Sequence, residues 1–173
     1  MNSIIETLSL KTAKLKHLAL FISWIFFLTG CESMDVKPLP YDENIGVVKI
    51  LDNPKVIVGD FVDVMEDCFS ARGIKTREVD EFYTPRTGEY WLKYTALQSF
   101  DFVTYLSVAD VWIYKNGELM AHGHWQLDWK GGLTFSKFDS TKEKMEPFFG
   151  ELLKNYKKNK GAGIDKGKNK AAR

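Results

Sequence analysis

Apolar and polar residues alternate along most of this chain, and its helices show where the alternation gives way to a longer period. Phe61, Val64, Met65, Cys68 and Phe69 recur at i, i+3, i+4, i+7 and i+8, with Asp63, Glu66 and Asp67 between them. That is the spacing of one buried helix face. Asp60 stands where a cap belongs, the early acids suit the positive helix end, and Gly73 can close the helix in a left-handed conformation. Met145, Phe148, Phe149, Leu152, Leu153 and Tyr156 repeat with the same period, behind Ser140 and Glu143 at the spacing of a capping box. Pro147 interrupts this pattern, which predicts either a kink or a helix beginning near Glu143.

The remaining apolar segments have the period of strands. Residues 45–51 form a nearly continuous apolar run that stops at Asp52-Asn53-Pro54. Residues 74–79 and 90–97 alternate around a loop at 80–88, residues 99–104 read as a connection, and residues 133–138 form a short segment before the second helix. Residues 106–115 and 118–129 flank Asn116-Gly117, the sequence signal of a tight hairpin. A two-residue turn would pair Lys115 with Glu118, Ile113 with Met120, Val111 with His122, and Ala109 with His124. One face would then carry Ala109, Val111, Ile113 and Met120, with His122, His124 and Gln126 further along. The other would carry Trp112, Tyr114, Leu119, Trp125, Leu127 and Trp129, with Asp110 among them. The order strand, helix, four strands, helix predicts an α+β fold, with a single twisted, mainly antiparallel sheet of about five strands and two helices on one face.

Upstream of the domain the pattern changes in kind. Lys11, Lys14, Lys16 and His17 precede an apolar run at 18–28, which ends in Leu28-Thr29-Gly30-Cys31. A positive patch, a short apolar run and small residues at the cut site make a secretory signal, and the run is short of the roughly 20 residues that span a bilayer. Leu-Thr-Gly-Cys resembles the acylation box of bacterial lipoproteins. The resemblance implies cleavage after residue 30 and long acyl chains such as palmitate on Cys31. The other reading is an ordinary cysteine closing a cleaved signal. The chain then divides into a signal at 1–30, a Pro-containing extended tether at 31–44, one domain at 45–156 and a basic disordered tail at 157–173.

Charge separates body from tail. Residues 31–153 hold 13 Lys and Arg against 21 Asp and Glu, whereas residues 154–173 hold 8 against 1. An exported protein with an acidic body is not built for nucleic acid. The tail has two open readings: contact with anionic headgroups or acidic wall peptides, or a solvated end. With Cys31 assigned to lipid, Cys68 is left without a disulfide partner and fits as a small buried apolar residue.

Several short stretches carry a resemblance across most of the body. Asn53-Pro54-Lys55-Val56, Asp60-Phe61-Val62-Asp63-Val64-Met65, Tyr94-Thr95-Ala96-Leu97, Asp101-Phe102, Lys115-Asn116-Gly117 and Lys130-Gly131-Gly132 resemble an uncharacterised family of short bacterial lipoproteins, the Sbal-type family. The resemblance covers roughly residues 31–153 and implies an envelope location without implying an activity. Lipoproteins held at the inner membrane carry Asp directly after the acylated cysteine. Glu32 stands there instead, which points to the outer membrane, facing the periplasm.

Signatures of chemistry are sparse. The chain has no Gly-x-Ser-x-Gly elbow, no His-Glu-x-x-His, no phosphate loop and no dinucleotide fingerprint, and no cofactor is implied. His122 and His124 are a weak candidate metal pair, since the expected register sets only Val111 and Ala109 beside them. The stronger expectation is a non-enzymatic envelope protein, held on the membrane by its N-terminal lipid. It would bind a protein or lipid through an aromatic sheet face made of Asp110, Trp112, Tyr114, Trp125 and Trp129. The alternative is a metal-dependent or hydrolytic envelope enzyme using His122 and His124.

Overall fold

The computed structural model describes residues 32–41, 43–127 and 135–156; the expected signal at 1–30, Cys31, Trp129 and the basic tail lie outside the described residues. The elements are β1 (Glu32–Lys37), β2 (Val47–Leu51), α1 (Phe61–Ala71), β3 (Lys75–Val79), β4 (Tyr90–Asp101), β5 (Val103–Lys115), β6 (Glu118–Leu127), a 3₁₀ turn at Phe135–Phe138 and α2 (Thr141–Leu152). They form an α+β domain with one open, mixed six-stranded sheet in the order β1-β6-β5-β4-β2-β3. β2 runs parallel to β3 and β4, and the other pairings are antiparallel.

Both helices form where the periodicity places them. All five predicted positions of α1 are buried, and Gly73 closes the helix at φ 76°, with Ile74 N–H donating to the Phe69 carbonyl. Asp60 does not cap α1. Its carboxylate accepts from the Thr141 hydroxyl at 2.8 Å, tying the start of α1 to the start of α2. The Ser140–Glu143 capping box is present in both directions, and α2 runs from Thr141 through Pro147 to Leu152. Together the helices cover one face of the sheet, where Val48, Ile50, Leu92, Tyr94, Ala109, Val111 and Ile113 meet Phe61, Met65, Phe69, Phe148 and Phe149 in one core.

Three sequence expectations change. First, the segment at 31–44 is not a free tether over its described length. β1 pairs along β6 from Glu32↔Leu127 to Lys37↔His122, and Leu39 is buried with its N–H on the Leu152 carbonyl. Met34 and Val36 alternate with Ser33, Asp35 and Lys37, a short strand pattern that ends at Pro38. Second, residues 99–104 are not a connection but the far end of a long β4–β5 hairpin, paired out to Asp101↔Val103.

Third, the β5–β6 register slips by one. Lys115↔Glu118 and Tyr114↔Leu119 pair as the turn dictates, and Asn116 and Gly117 both have positive φ, as a type I′ turn requires. Ile113 then pairs with Ala121, so Met120 is an extra residue in a β-bulge, and Trp112 faces His122, Asp110 faces His124, and Ala109 faces Trp125. A shift of one residue exchanges the two faces of a strand. The bulge puts Ala121, Gly123, Trp125 and Leu127 under the helices and turns His122, His124 and Gln126 outward. That exchange keeps two ionisable rings in contact with water and fills the core with apolar groups instead.

Candidate functional site

The face away from the helices is the candidate site, and the bulge decides its membership. Trp125 was expected on it, but the ring is 0% exposed on the opposite, helix-covered face, where its indole N–H donates to Glu32 Oε2 at 3.3 Å. Trp129 lies outside the described residues. Asp110, Trp112 and Tyr114 are on the open face as expected, and His122 and His124 join them there from β6.

The open face carries two stacked pairs, each across neighbouring strands. Trp91 of β4 lies on Tyr114 of β5 with ring centroids 4.4 Å apart and planes 15° apart, and Trp112 of β5 lies on His122 of β6 at 5.3 Å and 15°. Cross-strand aromatic pairs of this kind contribute roughly 0.5–1.5 kcal/mol beyond their burial. Lys93 Nζ sits 5.3 Å from the Trp91 ring, so the aromatic row is bordered by a cation.

Beside this row is a polar cluster. His124 Nδ1 lies 2.8 Å from Asp110 Oδ1, and His122 Nε2 approaches the same oxygen at 3.7 Å. The Thr95 hydroxyl donates weakly to the other carboxylate oxygen at 3.4 Å. The hydrogen bond to Asp110 raises the His124 pKa above its ordinary value of 6.5, opposed by partial burial and assisted by Asp35, its partner in register on β1. His122 Nε2 is sealed from solvent without a hydrogen bond. The expectation that no carboxylate stands beside the histidines is therefore corrected: the bulge brings Asp110 to both. Among the described residues no group of three His, Cys, Asp or Glu side chains is arranged to hold a metal ion.

The loop between β3 and β4 covers part of this face. Tyr83 lies over Lys49 of β2, with the ammonium 5.9 Å from the ring centroid, and the Tyr83 hydroxyl donates to Glu89 at 2.6 Å. Glu81 then walls a cleft of about 220 Å³ with Asn53, Lys93, Thr95 and Trp112. Asn53 is fixed there by its amide, which donates to the Tyr94 carbonyl at 2.8 Å. The loop shields β2, while Trp112, Tyr114, His122 and His124 on β5 and β6 stay partly exposed.

Sequence reasoning missed Trp91, Lys93, Thr95 and Asp35 as members of this face. The signal was present in β6, where Ala121, Gly123, Trp125 and Leu127 alternate with His122, His124 and Gln126, a cleaner binary pattern than the one imposed by counting from the turn. The adjacent pair Leu119-Met120 marks where the two registers join.

No protein-family model matches this chain, and no curated protein matches it. Among solved structures the chain is similar to a PelC dodecamer from Paraburkholderia phytofirmans, with 11% identity and a TM-score of 0.44 over 68% of this chain and 97% of that one. A substituted form of the same dodecamer gives 12% identity and a TM-score of 0.45 over the same shares.

Proposed function

We propose that this chain is a bacterial envelope lipoprotein, acylated on Cys31 and held at the outer membrane facing the periplasm, that works by binding and not by catalysis. Its binding surface is the open sheet face, and its partner is an envelope protein or lipid with a flat apolar surface and a complement to the Asp110–His124 pair. The observation that carries the reading is the row formed by the Trp91–Tyr114 and Trp112–His122 stacks, which the helices leave uncovered. Rigid aromatic rings on a sheet give large contact area at little entropic cost, which is why such patches serve as anchors for partners.

The test is site-specific photocrosslinking in cells from position 112, with position 41 as a control on another surface, together with the intact mass of the membrane-extracted chain. One dominant adduct from position 112 and none from 41, on a chain whose mass includes acyl groups on Cys31, is the expected result. Equal adducts from both positions would remove the sheet-face reading, and an unacylated mass would remove the anchor.

A second reading, metal-dependent or hydrolytic chemistry at His122 and His124, draws on the Asp110–His124 hydrogen bond, which orients an imidazole as a general base requires. Stoichiometric zinc in protein purified without added metal would favour it.

A further inference from the structure

A group of strongly exposed apolar residues stands at one end of the domain, on a hairpin tip beyond the stacked rings of the open face. The β4–β5 hairpin runs out to a tip at Phe102, which is 94% exposed, and Phe100 beside it is 77% exposed. Leu97, Val103 and Phe138 are exposed around them. Beneath the tip Val103 and Phe138 border a hollow of about 390 Å³ whose other walls are largely polar, with Asp60, Asp139, Lys137 and Ser140 among them. The sole formal charge between Leu97 and Leu106 is Asp101, and Lys137 neutralises it in a direct ion pair. The hairpin tip itself is thus apolar and locally neutral.

The tip is also strained. Phe102 has φ 60°, in the left-handed region that a bulky side chain avoids and glycine adopts freely. A turn selected for stability alone would place Gly or Asn there, so an exposed phenyl ring is being held at the apex against the backbone's preference.

Register fixes which way this tip points relative to Glu32, the first described residue. β1 runs antiparallel to β6 and starts at Glu32↔Leu127, one residue past Gln126↔Val108. Glu32 is therefore at the same end of the sheet as the tip, with Phe102 about four paired levels further out, roughly 13 Å at 3.3 Å per residue. Cys31 is one peptide bond from Glu32, about 3 to 4 Å of extended chain. The described chain leaves at the other end, where Asn155 and Tyr156 bond to the carbonyls of Leu39 and Ile45.

We infer that the tip of the β4–β5 hairpin is a membrane-docking element, which inserts Phe100 and Phe102 into the lipid bilayer that holds the Cys31 anchor. The orientation rests on the acylation proposed above; the apolar, neutral, strained tip does not. The overshoot of the tip past Cys31, on the order of 10 Å, matches the depth of roughly 5–10 Å to which interfacial apolar groups enter a bilayer. Insertion fixes the domain at two points and stands the open sheet face edge-on to the membrane, clear for a partner.

The experiment places a bimane label at Phe102→Cys or, as a control, at Tyr41→Cys, in the acylated full mature chain reconstituted in phosphatidylethanolamine/phosphatidylglycerol vesicles with nitroxide-bearing lipids. Cys68 is buried and does not compete for the label. Quenching at 102 and none at 41 is expected. Absence of lipid quenching at 102 overturns the proposal, and protection of that label from aqueous iodide as well would assign the tip to a second copy of the chain. A separate arm uses the same chain without acyl groups, so that failure of the anchor is told apart from failure of the tip. Phe102→Gly should lower its partition into vesicles about tenfold while leaving thermal stability equal or higher, since glycine relieves the turn. Unchanged partition with intact stability overturns the role of Phe102.

Discussion

His124 Nδ1 lies 2.8 Å from Asp110 Oδ1 across the β5–β6 pair, and that contact exists because Met120 is bulged out, with three pairs between it and His124. The bond favours the protonated imidazole, so the folded His124 titrates above 6.5. The sign follows from a raised folded pKa: the contribution to stability is fully present below about pH 6.5 and is lost as pH rises through the folded value. An NMR titration of the His124 ring should give a pKa above that of an unstructured peptide, and Asp110→Asn should bring it down. The same value in both proteins would mean that the hydrogen bond does not form in solution. Asp35, Lys37 and His122 face the same ring from β1 and β6, so Asp35→Asn should produce a smaller shift in the same direction.

The two tryptophans of the β5–β6 pair should behave oppositely. Trp112→Ser removes half of a partly exposed stack and should leave unfolding within about 1 kcal/mol of the parent, while weakening partner capture about tenfold or more. Trp125→Ala empties a fully buried site under the helices and should cost about 3–5 kcal/mol by urea denaturation. Similar stability losses for both would contradict the assignment of their faces.

At Gly123 the side chains of α2 come directly down on the sheet backbone. A Cβ there would stand 2.6 Å from two ring carbons of Phe148, a fully buried side chain with nowhere to retreat. Gly123→Ala should therefore destabilise by about 1–3 kcal/mol, the usual cost of overpacking. The smaller side chain of Phe148→Leu should recover part of that loss in the double variant, and purely additive effects would deny the contact.

Lys144 is 1% exposed, and its ammonium donates to two carbonyls, Lys137 O at 3.1 Å and Leu106 O at 3.4 Å, and lies 5.5 Å from the Tyr105 ring centroid, with no carboxylate in direct contact among the described residues. Burial lowers its pKa, opposed by the more distant Asp139 and Glu32. A base with a depressed folded pKa loses stability as pH falls from its unfolded value toward its folded one. The parent should gain stability as pH is raised from 8 toward about 10, close to the unfolded lysine value. Lys144→Met should be about 1 kcal/mol more stable at neutral pH and should lose that rise. An unchanged pH slope would show that Lys144 is not its source.

Several elements were legible because their signals are local. The face of α1 is complete in five apolar positions and a closing glycine, and the start of α2 is written in Ser140 and Glu143. The open site was only half legible. Asp110, Trp112 and Tyr114 follow from alternation within β5, but which residues of β6 stand opposite them depends on a bulge that counting outward from Asn116-Gly117 passes over. Thr95, Lys93 and Trp91 reach the site through the β4–β5 pairing, in which Ser107 is a second unpaired residue.

The sequence by itself determined the periods: where both helices and most of the strands fall, where the tight turn lies, and that residues 31–153 are acidic and the tail basic. These are properties of neighbours a few residues apart, set by backbone sterics and by the separation of apolar from polar groups. Only the tertiary structure decided the rest. Phe148 needs a glycine beneath it, Trp125 needs the core, and two histidines need water, and one extra residue in β6 satisfies all three. The same global packing recruits Glu32 and Leu39 into the domain, turning the expected tether into an edge strand, because β6 would otherwise present an unpaired edge. It thereby brings Glu32 and the apolar hairpin tip to one end of the sheet.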